Sequence, residues 1–147
     1  MKIVVIDGQG GRMGKSIIEQ IRKSCPNEGR YALYAIGTNS TATQAMMKAG
    51  ADYGATGENP ILVNSRDADL IIGPIGIIIA DSLLGEITPS MAAAVGASRA
   101  YKILIPVKRC NHMIIGCQEA SLTEYLRQVC QEVTARIMQR GEENHVS

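Results

Sequence analysis

The stretch KIVVIDGQGGRMGKS, Lys2–Ser16, decides the fold. Its opening, Lys2–Ile6, is short, continuous and β-branched, as a strand buried on both faces of a parallel sheet would be. Gly8, Gly10, Gly11 and Gly14 follow at once, and Arg12–Ser24 then carries Met13, Ile17, Ile18 and Ile21 at helical spacing. A glycine turn between a strand and a helix is where open α/β sheets bind phosphate. The first helical N–H groups are unpaired and carry partial positive charge, and glycine lets the backbone come close.

The spacing of the glycines separates the possible ligands. The pattern G-x-G-x-x-G, counted from Gly8 and Gly10, requires a third glycine at Met13, but the glycine stands at Gly14. Gly14-Lys15-Ser16 matches the end of an ATP loop, yet that loop needs a glycine where Gln9 stands. The spacing Gly8-x-x-Gly11-x-x-Gly14 fits and favours a dinucleotide-type loop. Plain strand–helix packing is the alternative role of such a turn, and the residues alone leave it open.

Outward from the loop, Tyr31–Gly37 reads as a second strand. Ser40 or Thr41 caps a short helix that carries Met46 and Met47 and ends at Gly50. This β-α-β-α order predicts right-handed parallel crossovers. The glycine-rich middle, 51–66, holds one expected strand at Pro60–Asn64. Asp69–Gly73 is the next, and Gly76–Leu84 reads equally as helix or strand. Thr88-Pro89 opens a further helix. Lys102–Val107 and His112–Gly116 are expected strands. Ser121-Leu122-Thr123-Glu124 is a capping-box pattern that starts a final helix ending at Gly141. The expected fold class is α/β, a three-layer Rossmann-like domain with a mainly parallel sheet over residues 1–140, followed by a disordered polar tail, 141–147.

Composition narrows the function. The 147 residues carry a net charge of +1 and no Trp or Phe, so the basic surface with stacking aromatics that nucleic acid requires is missing. The longest apolar stretch, Leu70–Ala80, is too short to span a bilayer, and the N-terminal apolar run is too short for a signal peptide. A cytoplasmic protein without membrane or nucleic-acid partners is expected. Near-zero net charge favours a buried subunit interface, hence a homo-oligomer, read as a dimer. Cys25, Cys110, Cys117 and Cys130 have neither zinc nor redox spacing, so reduced thiols are expected: Cys130 in the core, Cys25 at the surface or boundary.

The expected turns Asp7–Gly11, Thr38–Thr41, Gly73–Gly76 and Val107–Asn111 would line one edge of a doubly wound sheet, where ligands bind at the topological switch point. The candidate cofactor-binding residues are Gly8, Gly10, Gly11, Arg12, Met13, Gly14, Thr38, Asn39, Ser40, Gly73 and Pro74. NAD sites usually place an acid about twenty residues beyond the glycines, at the end of the second strand. No acid lies between Glu28 and Asp52, so a 2′-phosphate meets no repulsion and NADP fits better than NAD. Asn39 and Ser40 serve equally as turn and cap residues. Glu58 reads as a base, a ligand or a solvated charge, and Asp81 and Glu86 flank an apolar segment, with Asp81 facing the site or serving as a cap. Lys108 and Arg109 read as anion contacts or surface charge. Cys110 and His112 lack the partners of a metal site, so no metal is assigned, and no catalytic residue is assigned.

GQGGRMGKSI, Gly8–Ile17, resembles the cofactor loop of dihydrodipicolinate reductases, which use NADH or NADPH. The resemblance covers the loop and its helix. It implies backbone phosphate contact at Gly8, Gly11 and Gly14 with Arg12 nearby. That family's His-rich run and catalytic Lys have no counterpart, so its activity is not carried over. The wider chain is similar to a family of short bacterial proteins of unknown function, through VIDGQGG, GTNSTAT, AGADYGATGEN, ADLIIGPIGIIIADSLLGEITP and KILIPVKRCN. Three functions follow as expectations. The first is a sensor or regulatory subunit that binds a nucleotide or other small phosphorylated ligand. The second is a small NADP-dependent reductase or transferase whose site is completed across an oligomer interface. The third is a structural protein without a ligand.

Overall fold

The computed structural model describes residues 1–108 and 111–146. The strands are β1 (Lys2–Asp7), β2 (Ala32–Gly37), β3 (Tyr53–Thr56), β4 (Leu70–Pro74) and β5 (Tyr101–Ile105). The helices are α1 (Arg12–Ser24), α2 (Ser40–Lys48), α3 (Glu58–Ser65), α4 (Pro89–Ala97) and α5 (Leu122–Val146). The sheet order is β3-β2-β1-β4-β5, and every pairing is parallel. From β1 the chain winds outward through β2 to β3, then returns to place β4 on the other side of β1. The topological switch point therefore lies between β1 and β4, beside the turn that follows Asp7.

The two faces of the sheet explain the continuous apolar runs. Ile3 and Val5 point into a core closed by Ile17, Ile18 and Ile21 of α1, Met46 of α2, and Val129, Val133 and Ile137 of α5. Val4 and Ile6 point the other way, onto Ile61 of α3 and Met91, Ala92 and Val95 of α4. Both faces of β1 are covered, so alternation of polar and apolar residues is absent from its sequence. The result is a three-layer α/β Rossmann-like fold.

Two glycines make that packing possible. A Cβ on Gly73 would fall within 3.0 Å of the Ile6 carbonyl oxygen, where β4 meets β1. A Cβ on Gly14 would fall 2.9 Å from Asp7 Cβ and also strike Met46, where α1 crosses the sheet edge and α2.

Several local expectations change. Pro60–Asn64 lies in α3, not in a strand: a five-residue apolar run cannot by itself distinguish helix from strand. The strand of this region is β3, an exposed edge strand whose Gly54 clears Met47 and gives it the composition of a loop. His112–Gly116 is not a strand, and Met113 and Ile115 are exposed. Gly76–Leu84 is neither helix nor strand throughout: a 3-10 turn, Ile75–Ile78, leads into further turns. Asn39, not Ser40 or Thr41, caps α2, its Oδ1 accepting from the Ala42 amide at 2.9 Å. Thr88 caps α4 as expected, with Pro89 in its first turn. Helix α5 continues through Gly141 to Val146, since one interior glycine costs only about 1 kcal/mol and does not end a hydrogen-bonded ladder. No helix among the described residues is long and apolar enough to cross a membrane.

Candidate functional site

The glycine turn leaves β1 at Asp7, whose buried carboxylate turns back under the loop. Its Oδ1 accepts from the Gly8 amide at 2.8 Å and its Oδ2 from the Gly14 amide at 2.7 Å. Asp7 thereby satisfies part of the positive N-terminus of α1 from below. Gln9 (φ 49°) and Gly11 (φ 70°) take left-handed backbone, and the Gly11 amide bonds the Gly8 carbonyl at 2.9 Å to close the turn. Gly11 abuts Ala42 of α2, which leaves no room for a side chain. Among the described residues, the amides of Gly10 and Arg12 meet no protein acceptor, and the exposed Arg12 forms no ion pair.

A carboxylate from far along the chain covers this turn. Glu86 Oε2 accepts from the Gln9 amide at 2.8 Å. Glu86 Oε1 accepts from Asn39 Nδ2 at 2.7 Å and Thr38 Oγ1 at 3.2 Å. Leu83 lies alongside, so that a Cβ on Gly8 would fall 2.9 Å from Leu83 Cδ1 and 3.2 Å from Glu86 Oε2. Donors from the ends of β1 and β2 thus converge on one anion beside the switch point.

The candidate residues separate into groups. Gly8, Gly10, Arg12, Thr38 and Asn39 lie around this anion or at the loop's open edge. Gly11 and Gly14 shape and pack the turn. Met13 is half-buried against the core, and Ser40 is the exposed first residue of α2. Gly73 and Pro74 are buried at the end of β4, where Gly73 permits contact with β1. Glu58 Oε1 accepts from Thr88 Oγ1 at 2.5 Å, tying the start of α3 to the cap of α4. Asp81 is exposed in the turn before Glu86, and Lys108 pairs with Glu119 at 3.2 Å. The readings of Arg109 and Cys110 lie outside the described residues. Cys25, expected near the surface, is buried with Sγ 3.2 Å from Thr134 Oγ1. Cys130 is in the core as expected, its thiol pushed up to about 11 chiefly by burial. Among the described residues no group of three or more His, Cys, Asp or Glu side chains is placed to hold a metal ion.

Glu86 was not singled out for the site, and it answers the argument from missing acids. The end of β2 carries no acid in the local sequence, but the fold brings one there from 47 residues away. With Glu86 in place, the reason for preferring NADP to NAD is gone, since a carboxylate now occupies the end of β2.

Two acids flank Gly8, and their coupling is measurable. Burial pushes the Asp7 carboxyl above its ordinary 3.8, and the Glu86 charge pushes the same way, while the amides of Gly14 and Gly8 oppose both. The folded protein then holds this proton more tightly than the unfolded chain does. The Asp7 contribution is fully present below pH 3.8 and is lost as pH rises through the raised folded value. Asp7→Asn should remove that dependence. Its stability relative to wild type, from urea melts, should improve as pH rises above 3.8 and level off above the raised folded value, whereas a flat or opposite difference would contradict the assignment.

A separate cavity of about 520 Å³ lies beyond β5, lined by Ile75, Val107, Met113, Ile115 and Tyr125. At the glycine turn, by contrast, Leu83 and Glu86 lie over Gly8. The cavity's only ion pair, Lys108 with Glu119, neutralises itself among the described residues.

Among solved structures, the chain is similar to a dodecameric FMN-dependent UbiX-like decarboxylase from Escherichia coli O157:H7. The two share 14% identity over 97% of this chain and 94% of that one, with a TM-score of 0.48. At that likeness neither ligand, assembly nor reaction passes to this chain. No curated protein matches its sequence. The chain belongs to the family described as Domain of unknown function (DUF3842), whose model matches residues 2–138.

Proposed function

We propose that this protein binds a nucleotide or another small phosphorylated ligand at the ends of β1 and β2, beside the switch point. The observation that carries the reading is the convergence of the Gln9 amide, Thr38 Oγ1 and Asn39 Nδ2 on a single carboxylate. Three donors from two strand ends, already arranged around one anion, supply what a phosphate oxygen needs. The amides of Gly10 and Arg12 and the guanidinium of Arg12 add capacity at the loop's open edge. The anionic group takes the position of the Glu86 carboxylate.

NADP remains the dinucleotide of choice only when Glu86 withdraws, because Thr38, Asn39 and Ser40 then present hydroxyl and amide groups without a carboxylate. The assembly we propose is a homo-oligomer, supported by Met113 and Ile115, which lie exposed on the β5 side of the sheet.

A thermal-shift panel of NAD, NADP, ADP, AMP and inorganic phosphate tests the reading. At roughly 100 times its dissociation constant, a bound nucleotide should raise Tm by about 5 °C or more. No shift with any nucleotide at millimolar concentration, in wild type or in Glu86→Ala, would reject the proposal.

A further inference from the structure

We infer that Glu86 is a built-in competitor for the ligand, carried on a short latch, Leu83–Glu86, that closes the site when it is empty. This inference rests on the ligand reading above and adds its regulation. Both carboxylate oxygens of Glu86 are engaged by the donors assigned to the ligand: Oε2 by Gln9, Oε1 by Asn39 and Thr38. Leu83 Cδ1 and Glu86 Oε2 occupy the space directly over Gly8, where a phosphate would approach the backbone. A phosphate cannot share these donors with Glu86, because two anions within hydrogen-bonding distance of the same groups repel each other strongly outside bulk water. Binding must therefore displace the carboxylate.

The backbone of the latch is unusual, and packing explains it only at Leu83, which rests half-buried against the core around Val4 and Ile6. Asp81, Leu83 and Leu84 have φ of 64°, 54° and 55°, and Gly85 follows at 87°. Left-handed backbone is costly for leucine, and such conformers persist where surrounding contacts over-determine them. Leu84 gains nothing from burial, since its side chain is 97% exposed. The restraints that remain are local turns, in which the Asp81 amide bonds the Ile87 carbonyl at 2.7 Å and the Glu86 amide bonds the Leu83 carbonyl at 3.2 Å. Among the described residues, the hydrogen bonds from this stretch across the cleft are those of Glu86.

Both ends of the latch are fixed. Ser82 Oγ donates to the Gly76 carbonyl, and Ile87 is wholly buried against α4. The movable part is four residues long, and turning out the Glu86 side chain with Leu83 uncovers Gly8, at the cost of the Leu83 contact with the core. The apparent ligand affinity is then the intrinsic affinity multiplied by the fraction of open molecules. Loss of the Glu86 charge raises that fraction.

The test compares wild type with Glu86→Ala and Glu86→Gln by calorimetric titration with ADP and with NADP. Amide hydrogen exchange of the same proteins without ligand is followed in parallel. Glu86→Ala should bind at least about tenfold more tightly than wild type, with Glu86→Gln between them. Exchange at Gln9 and Leu83–Glu86 should quicken in the Ala variant. Equal or weaker binding by Glu86→Ala, with wild-type binding measurable, overturns the latch and leaves the ligand reading standing. Slower or unchanged exchange at Gln9 likewise overturns it. Absence of binding in all three proteins overturns the ligand reading, and the latch with it.

Discussion

Gly73→Ala should destabilise the protein by about 3 kcal/mol. The added Cβ would fall within 3.0 Å of the Ile6 carbonyl oxygen. That oxygen belongs to the central strand, and β1 is hydrogen-bonded to β2 on one side and β4 on the other. It cannot turn away as a side chain would, and relief requires parting β1 from β4. A fall in Tm of about 10 °C is expected in a scanning melt. Gly96→Ala provides the control. Nothing lies within 4 Å of its added methyl in α4, so helix propensity should raise stability by roughly 0.5–1 kcal/mol. If Gly73→Ala melts like wild type, the contact between β1 and β4 at the switch point is wrong.

Gly8→Ala should behave in the opposite way, sparing the fold and damaging binding. Its methyl would meet Thr38 Oγ1 at 2.7 Å, Leu83 Cδ1 at 2.9 Å and Glu86 Oε2 at 3.2 Å. All three belong to side chains, two of them at the ends of flexible ones, so a cost of about 1 kcal/mol is expected. The same methyl stands between the loop and an incoming phosphate. Measured in the Glu86→Ala background, where the latch cannot offset it, nucleotide affinity should fall at least about tenfold, or 1.4 kcal/mol. Unchanged affinity would move the ligand away from Gly8. Gly11 is unsuited to this test. Its φ of 70° and a Cβ position 2.7 Å from Ala42 Cα would make a side chain there a folding mutation.

The contrast between these glycines shows what the sequence could and could not convey. The glycine run announced a turn between β1 and α1, and both elements lie where periodicity and β-branching put them. The Thr88-Pro89 start of α4 was equally legible, because a cap is a local arrangement of a few residues. Which glycine faces a ligand was not legible. Gly8, Gly14 and Gly73 are chemically identical, and only their non-local neighbours separate the cleft from the packing contacts. Edge strand β3 escaped because Tyr53–Thr56 is largely exposed and carries a glycine that accommodates Met47. The short run in α3 escaped because burial of a few apolar residues looks alike in either conformation.

Glu86 is the clearest case. It lies 77 residues from Gln9, with which it bonds, in a stretch whose sequence offers neither strand nor helix periodicity. The absence of an acid near the end of β2 was correct as a statement about the local chain. It failed as a statement about the site, because the turn after β4 folds over the same cleft. No local signal would have found it.

The most direct test of the central claim is a heteronuclear NMR titration of isotope-labelled Glu86→Ala with ADP. Saturable shifts should concentrate at the amides of Gly8–Met13 and at the Thr38 and Asn39 signals, with the far end of α5 unmoved. Shifts centred instead on the cavity beside Met113 and Tyr125, or none at millimolar ADP, would contradict the assignment of a phosphate site to the turn after β1.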